Sequence, residues 1–312
     1  MRITVTGATG LIGTRVVERL RARGDEVTVL SRAPDRARAV LSEDDASSVP
    51  ARGPLSAAAW SPEDEAVPAA ALAGRDGVVH LAGEPVAQRW SDEAKRRIRS
   101  SRELGTRNLV AGIEAADPRP GVLVSASGVG YYGARGDEPV TEADPPGDDF
   151  LAGVTEAWEA EAARAQALGV RVVLVRTGVA LARDGGALAK MLPPFKLGAG
   201  GPVAGGRQYV PWIHVDDVAG VYLAALDDDR WSGPVNAAAP EPVTNRELSK
   251  ALGRALHRPA LAPVPALAVK ALYGEMATIV TTGQRAIPAR ATELGHAFEH
   301  TDLDEALRSA LS

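Results

Sequence analysis

Gly7, Gly10 and Gly13 recur every third residue. Glycine at this spacing has three separate uses. The first permits a tight turn, the second lets the backbone approach a bound group, and the third lets a helix pack close to a strand. The unpaired N–H groups at the start of that helix then face an anion, as they do at the pyrophosphate of a dinucleotide. Thr9, Leu11 and Ile12 fill the loop and would lie against the same ligand. Further on stands Ser31-Arg32, where an NAD site carries Asp or Glu for the ribose 2′-hydroxyl. A guanidinium pairs with a 2′-phosphate that a carboxylate would repel, so these residue types favour NADP(H). Asp35 follows Pro34 three residues later and is a poor ribose ligand.

A second group could move protons. Ser127 ends an apolar run, and Tyr131 and Tyr132 follow it. Hydroxyls of this kind orient a substrate oxygen or pass it a proton. Glu84 and His214 are further proton carriers by type; their structural readings are a rim carboxylate and a histidine before a helix. Leu81, Ala82, Gly83 and Glu84 close another strand, and the small residues there leave room for a cofactor to cross. Ser125, Ala126, Arg176 and Gly178 fall at the ends of two more strands, beside the same cofactor. Arg102 is either a phosphate contact or part of a solvated helix face. Between residues 198 and 214, Gly200, Gly201, Arg207, Gln208, Trp212 and His214 read as a substrate loop.

These residues need a scaffold that brings strand ends together. Ile3–Val5 is a β-branched run, and apolar residues at Ile12, Val16, Val17 and Leu20 have helical period. Strands follow at 26–30, 77–83, 122–127 and 171–176, with helices between. Ser91 caps a helix running to about Glu114, and Asp148-Asp149 opens another. Such alternation predicts an α/β fold, a doubly wound parallel sheet of Rossmann type, whose ligands sit at the carboxyl ends of the strands. Residues 35–75 show little pattern, and Ser42 to Pro54 reads as a mobile surface loop. Trp60 is expected to pack near the adenine side, and His80 to be a core histidine. Past residue 180 the texture changes. A helix near Ala187–Leu192 should stop at Pro193-Pro194, Asp216 should cap a helix at 217–226, and Thr244-Asn-Arg-Glu247 is a capping box. The expected organisation is a dinucleotide-binding region at 1–180, with strand and helix returning at about 210–240, and a smaller, mainly helical substrate-side region at 181–312.

Net charge is −5, which leaves no basic footprint for nucleic acid. No apolar run is long enough to span a bilayer. The chain has no cysteine, so disulfides, thiolate catalysis and cysteine–zinc sites are excluded. No metal is expected, since the five histidines show no ligand spacing. The first strand begins at Arg2, so no signal peptide is expected. A cytoplasmic protein acting on a small molecule fits this composition, and a homodimer is compatible with it.

Thr6-Gly-Ala-Thr-Gly-Leu-Ile-Gly13 and Trp212-Ile-His-Val-Asp-Asp217 resemble the extended short-chain dehydrogenase/reductases. Leu81-Ala-Gly-Glu84, Ser101-Arg102, Gly130-Tyr-Tyr-Gly133, Trp158-Glu159, Met191-Leu-Pro-Pro-Phe195 and Gly206-Arg-Gln208 are more specific. They resemble the atypical, epimerase-like group labelled nucleoside-diphosphate-sugar epimerase, which has a C-terminal domain of unknown function. The resemblance implies a Rossmann fold, NADP binding and a C-terminal substrate-side domain. One departure matters. Working members of the superfamily carry Tyr-x-x-x-Lys on the helix after the serine strand. With Glu159 aligned to the glutamate that follows the lysine, Leu151 stands at the tyrosine and Thr155 at the lysine. Ser127 fits the serine, and Tyr132 resembles a structural Tyr-Gly. Two functions follow from this pattern: an NADP-dependent oxidoreductase or epimerase-like enzyme with an altered proton relay, or a non-catalytic NADP-binding sensor or regulator.

Overall fold

A computed structural model describes residues 1–42 and 52–312. Most of the loop expected at 42–54 therefore lies outside the described residues. Seven strands form one parallel sheet: β1 (Arg2–Thr6), β2 (Glu26–Ser31), β3 (Leu55–Ala59), β4 (Gly77–His80), β5 (Val122–Gly128), β6 (Arg171–Thr177) and β7 (Gly233–Ala237). Their spatial order is β3-β2-β1-β4-β5-β6-β7. The order reverses between β1 and β4, and the crevice outside the carboxyl ends of those two strands is where such sheets bind ligands.

The helices are α1 (Leu11–Ala22), α2 (Pro34–Ser42), α3 (Asp92–Ala115), α4 (Phe150–Ala163), α5 (Gly186–Lys196), α6 (Val215–Asp227), α7 (Asn245–Ala255), α8 (Ala266–Tyr273), α9 (Ala277–Thr281), α10 (Ala289–Glu293) and α11 (Leu303–Leu311). One face of the sheet is covered by α1 and α6, through Val16, Val17, Leu20, Val218, Val221 and Tyr222. The other face is covered through Leu109, Ile113 and Ala162 of α3 and α4. Each α/β crossover buries a helix stripe on a sheet face, so both faces are dry. A smaller core joins Leu188 and Phe195 of α5, Trp212, Leu248 and Leu252 of α7, and Leu307 of α11. Among the described residues no helix is long and apolar enough to cross a membrane.

Four local expectations are corrected. The weakly patterned stretch after residue 35 holds both α2 and β3. Trp60 is buried in the core, stacked at a tilt on His80 with ring centroids 6.4 Å apart. Helix α5 runs through Pro193-Pro194 to Lys196. Leu188, Leu192 and Phe195 form one buried face across the prolines, and their burial outweighs the two missing donors because proline φ is already helical. The N-cap of α6 is His214 rather than Asp216: its Nδ1 accepts the Asp216 N–H at 3.2 Å. The capping box at Thr244–Glu247 is present as expected.

Candidate functional site

At the end of β1 the chain turns through Gly7, with φ at 65°. A Cβ there would lie 2.6 Å from the Leu81 carbonyl carbon, and one at Gly13 would lie 2.2 Å from the Gly7 oxygen. Gly10 differs, because its nearest obstacle is the Gly7 oxygen at 3.3 Å. Internal packing therefore excludes a Cβ at 7 and 13 and crowds one at 10 only mildly, since the Gly7 oxygen would have to give by a few tenths of an ångström. Helix α1 begins at Leu11 with no side-chain cap and no acid in its first turn. Its free N–H groups and positive dipole end form an anion cradle. Thr9 and Gly10 are exposed beside it, and Leu11 and Ile12 are half-buried.

Past β2, the Ser31 hydroxyl accepts the Ala33 N–H at 3.1 Å. Arg32 is exposed and forms no ion pair among the described residues. Across the switch point, Thr6 Oγ1 accepts the Leu81 and Ala82 N–H groups at 3.1 and 3.2 Å and bonds His80 Nδ1 at 2.7 Å. The other His80 nitrogen meets Thr106 at 3.0 Å. Complete burial, with the Arg102 charge adding to it, pushes His80 down to about 3, so it is a neutral core group. The Arg102 guanidinium lies against Gly83 and 4.9 Å from the Trp158 ring. It donates to the carbonyls of Glu84 and Ile98 at 3.0 and 3.1 Å. Burial pushes it down to about 10, with the Glu84 charge working the other way. The Glu84 carboxylate itself accepts from Gln88 at 3.0 Å and Arg97 at 3.4 Å.

At the carboxyl ends of β5 and β6 a buried polar network has formed. Ser127 faces Arg176 in the sheet register. Ser127 donates to Glu159 at 2.5 Å, and Arg176 donates to both oxygens of the same carboxylate at 2.8 Å. Arg176 also donates to the Tyr132 hydroxyl at 3.1 Å, which donates to Asn236 at 2.7 Å. Ser127, Arg176 and Tyr132 are all buried. Burial pushes Tyr132 up to about 12 although the Arg176 charge opposes it. Glu142 accepts the backbone N–H groups of Asn236 and Arg290 at 2.9 and 3.2 Å, joining the network to the C-terminal region. Tyr131 is half-buried, with the Arg176 guanidinium 3.4 Å from its ring centre. Its hydroxyl makes no hydrogen bond among the described residues.

Leu151, Thr155 and Glu159 follow at four-residue steps and so share one face of α4. Glu159 reaches Ser127, and Leu151 packs on Gly130, where a Cβ would come within 2.6 Å. That face carries two side chains that cannot form an acid–base pair. Of the remaining sequence-derived residues, Ser125 and Ala126 are buried in β5. A Cβ at Gly178 would meet the Pro211 oxygen at 2.1 Å, one at Gly200 the Phe195 ring at 2.4 Å, and one at Gly201 the Ala262 oxygen at 2.1 Å. Gln208 donates to the carbonyls of Val203 and Val280 at 3.1 and 2.8 Å, and buried Trp212 donates to Glu241 at 3.1 Å. Only Arg207 in that group is exposed. The structure thus gathers the glycine loop, residues 81–84 and Arg102 around the switch point and holds Tyr131 against Arg176 at the ends of β5 and β6, while the 198–214 segment mostly packs. Glu142 and Asn236 had no sequence signal, because their partners are distant in the chain.

Residues 3–238 match the NAD dependent epimerase/dehydratase family, and residues 264–310 match a domain of unknown function (DUF1731). The chain is 42% identical to the chloroplastic epimerase family protein SDR39U1 homolog of Arabidopsis thaliana, over 100% of this chain and 87% of that one. It is 38% identical to epimerase family protein SDR39U1 of Mus musculus, over 100% of both. The crystal structure of human epimerase family protein SDR39U1 (isoform2) with NADPH superposes with a TM-score of 0.87 at 35% identity, covering 100% of this chain and 99% of that one.

Proposed function

Because the chain belongs to the NAD-dependent epimerase/dehydratase family, we propose that it binds NADP(H) and acts on a small-molecule substrate, as an oxidoreductase or epimerase-like protein that works without a Tyr-x-x-x-Lys pair. The observation that carries the cofactor reading is the bare start of α1 beside Gly10. A Cβ there meets one protein atom, the Gly7 oxygen at 3.3 Å, which would have to give by a few tenths of an ångström, and a phosphate against the uncapped N–H groups would add a far stronger demand for glycine. Exposed Arg32, unpaired among the described residues, supports the 2′-phosphate form, as does the human relative solved with NADPH. A cytoplasmic location belongs to the same reading, on the cysteine-free composition. NADPH should bind more tightly than NADH. Arg32→Ala should remove most of that difference, about ten-fold or more for one charge-assisted contact. Equal affinity of the unaltered protein for the two cofactors in a fluorescence titration would sink the reading.

In the enzyme reading Tyr131 is the proton carrier, since it is half-buried with a hydroxyl free of hydrogen bonds among the described residues. Carbonyl substrates should then oxidise bound NADPH, seen as absorbance loss, and Tyr131→Phe should lower turnover by about 10²-fold or more while NADPH affinity holds. One observation favours the second reading, a non-catalytic sensor: the Ser127 and Tyr132 hydroxyls are both engaged inside the buried Glu159–Arg176 network. Tight NADPH binding with no oxidation by any carbonyl compound would select that reading.

A further inference from the structure

Three of the five histidines lie in or against residues 296–302 where that segment packs on α1 and α6. The His214 and His300 ring centres are 3.9 Å apart. His296 packs edge-on to Trp231 at 5.6 Å and to Phe298 at 4.8 Å. Asp217 clasps this segment, accepting the Glu299 and His300 N–H groups at 2.6 and 3.1 Å. His214 is 2% exposed. Since its Nδ1 accepts a backbone N–H, the ring proton sits on Nε2, which is buried with no hydrogen-bond partner. Nε2 of His296 is buried in the same way. A second proton on His214 would stand on Nδ1, beside the Asp216 backbone N–H that it now accepts and 3.5 Å from the Asp216 carboxylate, and either ring as a cation would keep a buried Nε2 with no acceptor.

The carboxylate beside His214, that of Asp216 at 3.5 Å, is already shared by two arginines. Arg15 and Arg19 from α1 both pair with Asp216, Arg15 also with Glu18, and Arg19 also with Glu299. Arg52 lines the same depression. Asp217 is engaged by the backbone, and Glu305 at the start of α11 bonds His300 Nδ1 at 2.9 Å. Asp302 caps α11, and Asp304 pairs outward with Arg254.

We propose that residues 296–302 form a pH-sensitive clasp, closed on α1 and α6 while His214 and His296 are neutral and released when they take up protons. The sign follows from linkage. Burial lowers both histidines from the ordinary 6.5; at His214 the His300 and Arg15 charges add to it and Asp216 and Asp217 oppose it, and at His296 Asp217 and Glu299 oppose it. A depressed group favours the closed form fully above its free value, so clasping is lost as pH falls below 6.5 toward the closed-state values. One unit below the free value, a histidine that stays neutral only in the closed form favours opening by up to about ten-fold.

The test is hydrogen exchange at the Glu299 and His300 amides, corrected for intrinsic rates, between pH 7.5 and 5.5. Protection should fall several-fold in the unaltered protein. His214→Asn keeps a cap acceptor and His296→Phe keeps the ring contacts, so the double variant should lose most of the pH response. His296→Phe alone, should the double variant fold poorly, should lose part of it. Protection independent of pH in the unaltered protein, or an undiminished response in either folded variant, overturns the proposal.

Discussion

Replacing Arg176 with methionine should destabilise the protein by about 3–5 kcal/mol, the cost of stranding a buried charge. Arg176 donates to both oxygens of Glu159 and to Tyr132, and all three side chains lie out of solvent. Removing it leaves the Glu159 carboxylate, among the described residues, with only the Ser127 hydroxyl and takes one bond from Tyr132. Replacing Arg176 and Glu159 together with methionine should recover much of the loss, because no charge is left stranded. Urea unfolding of the two single variants and the double variant tests both statements. A single-variant loss under about 1 kcal/mol, the range of exposed pairs, would mean that the network does not hold β5, β6 and α4 together.

Gly10→Val should reduce NADPH affinity by more than about 100-fold, or about 2.7 kcal/mol, and leave the fold intact. The backbone at Gly10 is extended, with φ −82° and ψ 169°, a region that valine adopts freely. The nearest protein atom to the new Cβ is the Gly7 oxygen at 3.3 Å, which needs to give by a few tenths of an ångström, and Gly10 is exposed beside the start of α1. Gly13→Val is the contrasting control: its Cβ would fall 2.2 Å from the Gly7 oxygen, so α1 must move off the sheet and the protein should unfold or aggregate. A folded Gly10→Val protein that titrates NADPH like the unaltered chain would remove the glycine loop from the cofactor site.

The sheet and the glycine loop were legible because their signals are local. β-branched runs, three spaced glycines and helical periodicity each fit within about a dozen residues. Strand β3 was not legible, since Leu55-Ser-Ala-Ala-Ala59 has little β propensity and is held as an edge strand by its pairing to β2. Helix α2 buries only Ala37 and Leu41, too thin a stripe to stand out. Pro193-Pro194 reads as a stop until the buried face of α5 is known. Among site residues, Ser127 was expected for chemistry, and its bond to Glu159 was not legible because no local pattern reveals that Arg176 and Glu159 converge there. His214 and Trp212 were expected beside substrate because they follow a glycine-dense stretch, and their partners, the N–H of Asp216 and the Glu241 carbonyl, emerge only in three dimensions.

Strand β7 reaches the sheet only after the chain has left it at β6 and built α5 and α6. It carries Asn236, which closes the bond to Tyr132, and its neighbour α6 covers the face also covered by α1. A fragment ending near residue 180 would therefore lack the outer strand of its own sheet and expose the apolar side of α1. Cofactor-binding and substrate-side regions should not separate by proteolysis or truncation into independent folding units. Heat or denaturant should melt them in one cooperative step, so evolution can reshape the substrate side only by insertions that return the chain to the same edge.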